Sequence, residues 1–310
     1  MTSPITLRQL EALLLTAEAG SIRRASSRHG RSQPGLSTQI MALEKALDQR
    51  LFERRANGVT LTAEGREIAQ LARQVMDIVA AIAAHAPKGA RRGAYRLKLG
   101  VGHSIGPYLM PYAVRTLHRN EPDLRLLIRE GPSDWLLDSL LTGETDLILT
   151  QLPIPESTIR HVSVFEEDVL VMMAADHPLT RLAAVTPADL AGQNVLSLGR
   201  GFTLTREIER FCATCGAVMV PGYEGTSLDA LRIMCSMGSD IAFAPEFYLR
   251  SELKPDAAVV ARPLAGRELR RMIVLAWRES QGRPRHVDIL ARDLATSVHA
   301  VRATSTAPFS

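Results

Sequence analysis

Apolar residues recur at three- and four-residue steps through Leu7, Leu10, Leu13, Leu14 and Ala17. That spacing marks one face of a helix, so residues 7–19 are predicted to be helical and Gly20 to end the element. A second short helix is predicted from an N-cap at Ser21 through Arg28, with Gly30 supplying a turn. Ser32 caps a third helix, and Pro34 lies in its first turn, where a missing N–H costs nothing. Leu36, Ile40, Leu43 and Leu47 then form a single apolar stripe that must pack on the first two helices. At about 100° per residue, Pro34, Thr38, Met41 and Lys45 lie roughly opposite that stripe, with Gln33 and Ser37 on its flank. Short hydroxyl and amide side chains at an exposed helix N-terminus suit the reading of base edges in a DNA groove. A basic hairpin containing Arg54, Arg55, Asn57 and Gly58 comes next.

The pattern then narrows. Ile68, Leu71, Val75, Ile78 and Ile82 keep alternating three- and four-residue steps within a helix predicted from about Thr62 to His85. This is a two-position seam of about three heptads along a helix roughly 33 Å long. A seam that narrow needs a partner, which predicts a parallel or antiparallel homodimer, two half-sites and a palindromic operator. The competing reading is a helix packed on its own domain. Pro87, Gly89 and Gly93, with Arg91 and Arg92 between them, read as a linker that ends the stem.

Charge sharpens the picture. Residues 1–60 carry nine basic and five acidic groups, an excess of four that equals the net +4 of all 310 residues. The remaining 250 residues therefore sum to zero, and the basic surplus lies where phosphate contacts need it. A solvated surface on an ordinary three-helix domain is the plainer alternative.

From Tyr95 the pattern becomes short apolar strands alternating with helices. Strands are predicted near 95–102, 124–130, 146–150, 159–165, 168–174, 194–198, 220–224, 240–243 and 272–277. Helices are predicted near 104–119, 133–142, 203–215, 227–237 and 285–300. This alternation predicts an α/β domain with a mostly parallel sheet, long enough for two subdomains.

Within it, Gly102-His103-Ser104-Ile105-Gly106 fits the G-x-S-x-G of a hydrolase nucleophile elbow. Three features oppose catalysis: the strand is the first of its domain, only the DNA-binding module precedes it, and no Asp-then-His pair has a loop context. The same strand-to-helix turn offers free N–H groups, a helix dipole and a hydroxyl, which suits a carboxylate or similar anion. Gly199-Arg200-Gly201-Phe202-Thr203 is a second such turn. Thr150 and Gln151 end a strand at the same crevice, and Thr226 and Ser227 begin another helix there.

The chain resembles the LysR-type transcriptional regulators. The resemblance rests on Ala25, the run Ser32-Gln33-Pro34-Gly35-Leu36-Ser37, Ile40, Leu43-Glu44, Leu47, Leu51-Phe52-Glu53-Arg54 and Thr60-Leu61-Thr62-Ala63-Glu64-Gly65. It implies a winged helix-turn-helix and a C-terminal two-lobed domain like periplasmic binding proteins, with crossings near 166–169 and 268–272. It implies that Ser32, Gln33, Pro34, Ser37 and Thr38 face the major groove, and that Arg54 and the hairpin lie on the backbone or minor groove. Arg31, Arg55 and Asn57 join that expected DNA-binding set. It gives Ser104 and Thr203 effector-cleft positions; Ile105, Ser133, Thr150, Gln151, Phe202 and Thr226 complete the expected effector site.

Departures from the family pattern fall at His29, Arg31, Thr38, Asp48 and Gly238-Ser239-Asp240. They leave the operator and the ligand's charge to be determined. The Gly143-Glu144-Thr145-Asp146 turn matches the family, with Asp146 in a structural role.

Cys212 and Cys215 form C-x-x-C, with Cys235 apart; without a fourth ligand they read as core thiols, with a redox sensor as the alternative. No signal peptide or membrane span is evident, so a reducing cytoplasm is expected.

The expected organisation is an α/β chain with an N-terminal all-α winged helix-turn-helix. The DNA-binding domain is placed at 1–61, a dimerising helix at 62–86, a linker at 87–94 and an effector domain at 95–310. Lobe I is placed at about 95–167 and 270–302, and lobe II at about 168–269. The expected function is a non-enzymatic transcriptional regulator controlled by a small effector, an organic or aromatic acid, without cofactor or metal. Its expected partners are double-stranded DNA, a second copy, a dimer of dimers and RNA polymerase. The rivals are an enzyme built on Ser104 and a constitutive architectural DNA-binding protein.

Overall fold

The computed structural model describes residues 5–55, 58–84, 95–220, 225–238, 240–253, 258–266, 269–284 and 286–304. The chain divides into two compact units, one containing Met1–Arg91 and the other most of the remaining residues.

In the first unit, α1 (Leu7–Ala19) opens on a capping box between Thr6 and Gln9 and ends at Gly20 in the left-handed conformation. Helices α2 (Ile22–His29) and α3 (Gln33–Leu47) come next. The Ser32 hydroxyl accepts from the Gly35 N–H at 3.2 Å, which fixes where α3 begins. At its other end Asp48 adopts φ 51°, a left-handed conformation that favours glycine. Leu36, Ile40 and Leu43 are buried as the stripe requires. Leu36 and Ile40 pack with Ala12, Ala19 and Ala25, and Leu43 with Leu13, Leu14 and Leu51.

The hairpin is β1 (Phe52–Arg55) paired antiparallel with β2 (Gly58–Leu61). It docks where the Val59 N–H donates to the Gly20 carbonyl at 2.9 Å. A Cβ on Gly58 would overlap that carbonyl oxygen, so the close approach requires glycine there.

Helix α4 (Ala63–Ala84) turns Ala69 and Ala72 into the core of this unit, with Ile68 beside them. Leu71, Val75, Ile78 and Ile82 remain exposed, Ile82 at 68%. The helical prediction is met, but Ile68 leaves the seam for the core of its own unit. The linker 87–94 and Asn57 lie outside the described residues, as does the side chain of Arg54.

In the second unit, β3 (Tyr95–Gly102), α5 (Gly106–Asn120), β4 (Leu124–Gly131), α6 (Ser133–Leu141) and β5 (Leu147–Gln151) come first. They are followed by β6 (Ile159–Ala174), β7 (Asn194–Leu196), α7 (Thr203–Cys215), β8 (Val218–Met219), α8 (Leu228–Ser236) and β9 (Ile241–Pro245). The chain ends with α9 (Glu246–Glu252), β10 (Val259–Arg262), β11 (Arg270–Arg278) and α10 (Val287–Thr304). The sheet runs β4-β3-β5-β11-β6-β9-β7-β8, with β10 also on β6.

It is more mixed than the alternation suggested. Strand β3 pairs parallel with β4 and β5, whereas β11 pairs antiparallel with β5, and β6 pairs antiparallel with β9 and β10. One apolar core gathers Leu97, Leu99, Leu109, Leu149, Ile273 and Leu290. Two further cores gather Val171, Val195, Ile208 and Phe243 on one side, and Met172, Leu231, Ala244 and Tyr248 on the other.

Three predictions are corrected. The strands expected at 159–165 and 168–174 are one continuous strand, β6. Helix α9 and strand β10 were not expected. The strand expected at 220–224 is the two-residue β8 at Val218–Met219, and residues 221–224 lie outside the described set.

Candidate functional site

The exposed surface of α2 and the start of α3 carry the first candidate site. Ser32, Gln33, Pro34 and Thr38 are exposed and Ser37 is half-buried, so the short polar side chains stand at the solvent end of α3. Their placement results from the Ser32 cap and from the burial of the opposite stripe. Of the expected basic contacts, Arg31 is paired with Glu11 at 2.8 Å and Arg55 with Glu53 at 2.7 Å. Arg23, Arg24 and Arg28 on α2 are exposed and have no ion pair among the described residues. The sequence placed these three in the charge excess without giving them a role. Their spacing along a helix too short to bury both faces was the available signal. His29 is exposed beside the turn.

The second candidate site is a cavity of about 310 Å³ in the second unit. Seven of the eight expected effector residues line it: Ser104, Ile105, Ser133, Thr150, Gln151, Phe202 and Thr226. Thr203 lies just behind that lining. Its side chain is buried, its hydroxyl accepts from Arg206 Nη2 at 3.1 Å, and its N–H donates to Ser133 Oγ at 3.2 Å. It therefore positions Ser133 and does not itself form the wall. Gln151 reaches Glu207 at 3.4 Å, and burial pushes the Glu207 carboxyl above its ordinary value.

Several wall residues were missed, among them His103, Tyr108, Glu130, Asp229, Tyr248 and Arg271. Arg271 matters most. Its guanidinium donates to Ser104 Oγ at 2.7 Å and pairs with Glu167 at 2.6 Å, with both charged side chains almost wholly buried (2% and 0% exposed). Glu167 also accepts from the Phe247 N–H at 2.7 Å at the start of α9. Burial pushes the Glu167 carboxyl upward, against the attraction of Arg271. The pair ties β6 and β11 to the turn after β3 and to α9.

This arrangement bears on binding in two ways. Among the described residues Arg271 is the only Lys or Arg on the cavity wall, and Glu167 already balances it. The N-terminus of α5, the expected anion seat, already faces a carboxylate: a Cβ added at Gly106 would overlap Glu130. The wall offers hydroxyls, an amide and aromatic rings, with no free cation among the described residues. Nor does the G-x-S-x-G turn assemble a nucleophile. The hydrogen-bond partner of Ser104 is Arg271, a guanidinium that donates to the hydroxyl oxygen and offers it no accepting atom.

Comparison with known proteins covers both units. Residues 7–66 match the model of the bacterial regulatory helix-turn-helix protein, lysR family, and residues 90–298 match the LysR substrate binding domain. The chain belongs to the LysR family of transcriptional regulators.

It is 33% identical over 274 residues to the DNA-binding transcriptional dual regulator OxyR of Escherichia coli, covering 88% of this chain and 90% of that one. Full-length OxyR of Pseudomonas aeruginosa, solved as a cysteine-to-aspartate variant, superposes with a TM-score of 0.82 at 32% identity over 94% of both chains. A cysteine-to-serine variant of Corynebacterium glutamicum OxyR with hydrogen peroxide bound gives 0.64 at 25% identity over 96% of both.

As a LysR-family regulator the chain binds DNA through its helix-turn-helix and carries an effector-binding domain. Its three thiols lie in the second unit. Cys212 and Cys235 are buried within apolar cores, and burial raises each thiol to about 12. Cys215 is half-buried, its Sγ 3.6 Å from the Cys212 carbonyl oxygen. Among the described residues no cluster of His, Cys, Asp or Glu is arranged to hold a metal, and no helix is long and apolar enough to cross a membrane.

Proposed function

We propose that this LysR-family regulator couples occupancy of the 310 Å³ cavity to the way its helix-turn-helix holds double-stranded DNA. In this reading the effector is a small, uncharged, polar molecule. One observation carries it: the only cation on the wall among the described residues, Arg271, is already neutralised by Glu167. Burying an organic or aromatic acid there would leave its carboxylate without a counter-charge and facing Glu130, which is costly in a low-dielectric site. The acid expected from the sequence is therefore set aside.

The relatives called hydrogen peroxide-inducible genes activators make hydrogen peroxide the first uncharged candidate. The volume is at the lower end of the ~300–1,000 Å³ usual for ligand sites, so a somewhat larger molecule also fits.

Ser32, Gln33, Pro34, Ser37 and Thr38 are assigned to the major groove, with Arg54, Arg55 and Asn57 along the adjacent backbone. Arg23 and Arg28 are added as phosphate contacts, and Arg31 as a residue held by Glu11 near the groove. The exposed row Leu71, Val75, Ile78 and Ile82 is assigned to pairing with a second copy, which yields palindromic half-sites. Association of two such dimers, contact with RNA polymerase and a cytoplasmic location complete the reading.

The test is footprinting of the full-length protein on the DNA upstream of its own gene. Hydrogen peroxide or another uncharged polar molecule changes the footprint length, and benzoate at the same concentration does not. A footprint altered by benzoate alone would reverse the assignment.

A further inference from the structure

We infer that Asp77, on the stem helix α4, is the latch that carries the state of the cavity to the DNA-binding head. This rests on the coupling of cavity to DNA proposed above.

Two short pieces of the later chain, Leu141–Glu144 and Arg278–Arg283, belong to the first unit together with the head and the stem. The second piece fastens to one stem residue. Asp77 Oδ2 accepts from Arg278 Nε at 2.9 Å and from Ser280 Oγ at 3.0 Å, and Asp77 Oδ1 accepts from Arg278 Nη2 at 3.3 Å. That Nη2 also donates to Gln281 Oε1 at 2.9 Å. The side chains of Arg278 and Asp77 are only 9% and 15% exposed. A buried ion pair adds little net stability, but breaking it strands a charge, so it fixes position.

Arg73, one turn before Asp77, extends the cluster. Its side chain lies against Gly143, where an added Cβ would overlap Arg73 Cδ. Burial and the charge of Arg278 pull the Arg73 guanidinium below its ordinary value, against the attraction of Asp77, Glu18 and Glu144. Glu18 belongs to α1, so head, stem and later chain share one charge cluster. At about 100° per residue, Arg73 and Asp77 lie on the side of α4 away from the exposed row Leu71, Val75, Ile78 and Ile82. The latch therefore leaves that row uncovered.

Strand β11 joins the cluster to the cavity through the chain itself. Near its start Arg271 is held by Ser104 and Glu167, and its last residue is Arg278. Between them Ile273, Val274, Leu275 and Ala276 are fully buried and paired with β5. A strand so held does not stretch, so a shift of Arg271 on occupancy displaces Arg278 and the stem fastened to it.

Linkage supplies a test that needs no effector: whatever occupancy does to DNA binding, DNA binding does to the cavity. Amide hydrogen exchange is measured on the full-length protein and on Asp77→Asn, with and without the footprinted DNA. Asp77→Asn is expected to speed exchange of residues 278–283 at least tenfold and to keep DNA affinity within threefold. In the unaltered protein DNA changes exchange in the Gly102–Gly106 turn at least threefold, and in Asp77→Asn it does not. A DNA response of equal size in both proteins overturns the latch and leaves the coupling standing. No response at Gly102–Gly106 in the unaltered protein removes the coupling itself, and the latch with it. If Asp77→Asn does not fold, Ser280→Ala decides, because it takes one hydrogen bond from Asp77 and leaves the ion pair in place. It is expected to reduce the response at Gly102–Gly106 at least twofold, and an undiminished response overturns the inference.

Discussion

The helix-turn-helix surface and the effector cavity use arginine in opposite ways. On α2, Arg23, Arg24 and Arg28 stand in solvent with no ion pair among the described residues. In the cavity wall, Arg271 is buried and paired with Glu167. A solvated cation is weak as an individual contact, but several together attract a polyanion and release its counterions. A buried cation would hold an anion far more strongly, yet here its own carboxylate cancels it. In the proposed reading one site selects charge and the other rejects it, and the placement of two glutamates, Glu130 and Glu167, decides which.

The largest way to break this contrast is to remove the buried cation. Arg271→Met leaves Glu167 uncompensated in the interior and is expected to cost about 3–5 kcal/mol in denaturant unfolding. The pH dependence has a definite sign. Burial raises the Glu167 carboxyl above its ordinary 4.5, so only between about pH 4.5 and that raised value does the folded state hold a proton that the unfolded state has lost; above it Glu167 is the carboxylate that pairs with Arg271. Stability therefore falls as pH rises from about 4.5 through the raised folded value. Without Arg271 to draw it back down, the urea midpoint of Arg271→Met falls more steeply as pH rises above about 4.5 than that of the unaltered protein. A midpoint that rises over that range contradicts the assignment.

The buried thiols of the second unit give the next effect. With Cys212 and Cys235 raised from 9.0 to about 12, their thiolate fraction at pH 8 is about a thousandfold below that of an ordinary thiol. Iodoacetamide labelling of the native protein is expected to be slower at these two residues by at least that factor. Labelling within tenfold of a free thiol would show them open to oxidant chemistry.

On the DNA side, Arg23→Ala and Arg28→Ala are each expected to flatten the slope of log K against log salt by ~0.9. Arg55→Ala removes a cation already shared with Glu53 and is expected to flatten it by less than half as much. Equal slopes for all three would erase the distinction between free and paired cations. The smallest effect is at the end of α3. Asp48→Gly relieves a left-handed residue and is expected to add ~0.5–1 kcal/mol, read as a higher urea midpoint.

The DNA-binding half was legible because its information is local. The Ser32 cap, the Gly30 turn and the Leu36–Ile40–Leu43 stripe all act within one or two helical turns, and the structure places them as read. The cavity was legible only where a strand end met a helix start, as at Ser104 and Thr150. Glu166, Glu167 and Asp168 interrupt the apolar pattern and so suggested a break between two strands. In the fold they lie within β6, where Glu166 and Asp168 meet Arg270 and Glu167 meets Arg271, about a hundred residues away in the chain. No local signal announces such partners. Because they were hidden, the helix N-terminus alone pointed to an organic acid. Thr203 shows a related effect: it lies in a strand-to-helix turn as expected, and Arg206, one turn along, donates to its hydroxyl.

The most direct measurement is a benzoate titration of the full-length protein and of Glu167→Gln, each read by tryptophan fluorescence. If Glu167 is what excludes anions, the unaltered protein does not bind benzoate at millimolar concentration. Glu167→Gln, with the Arg271 charge released, binds it at least tenfold more tightly. Benzoate binding of equal strength in both proteins would contradict the account.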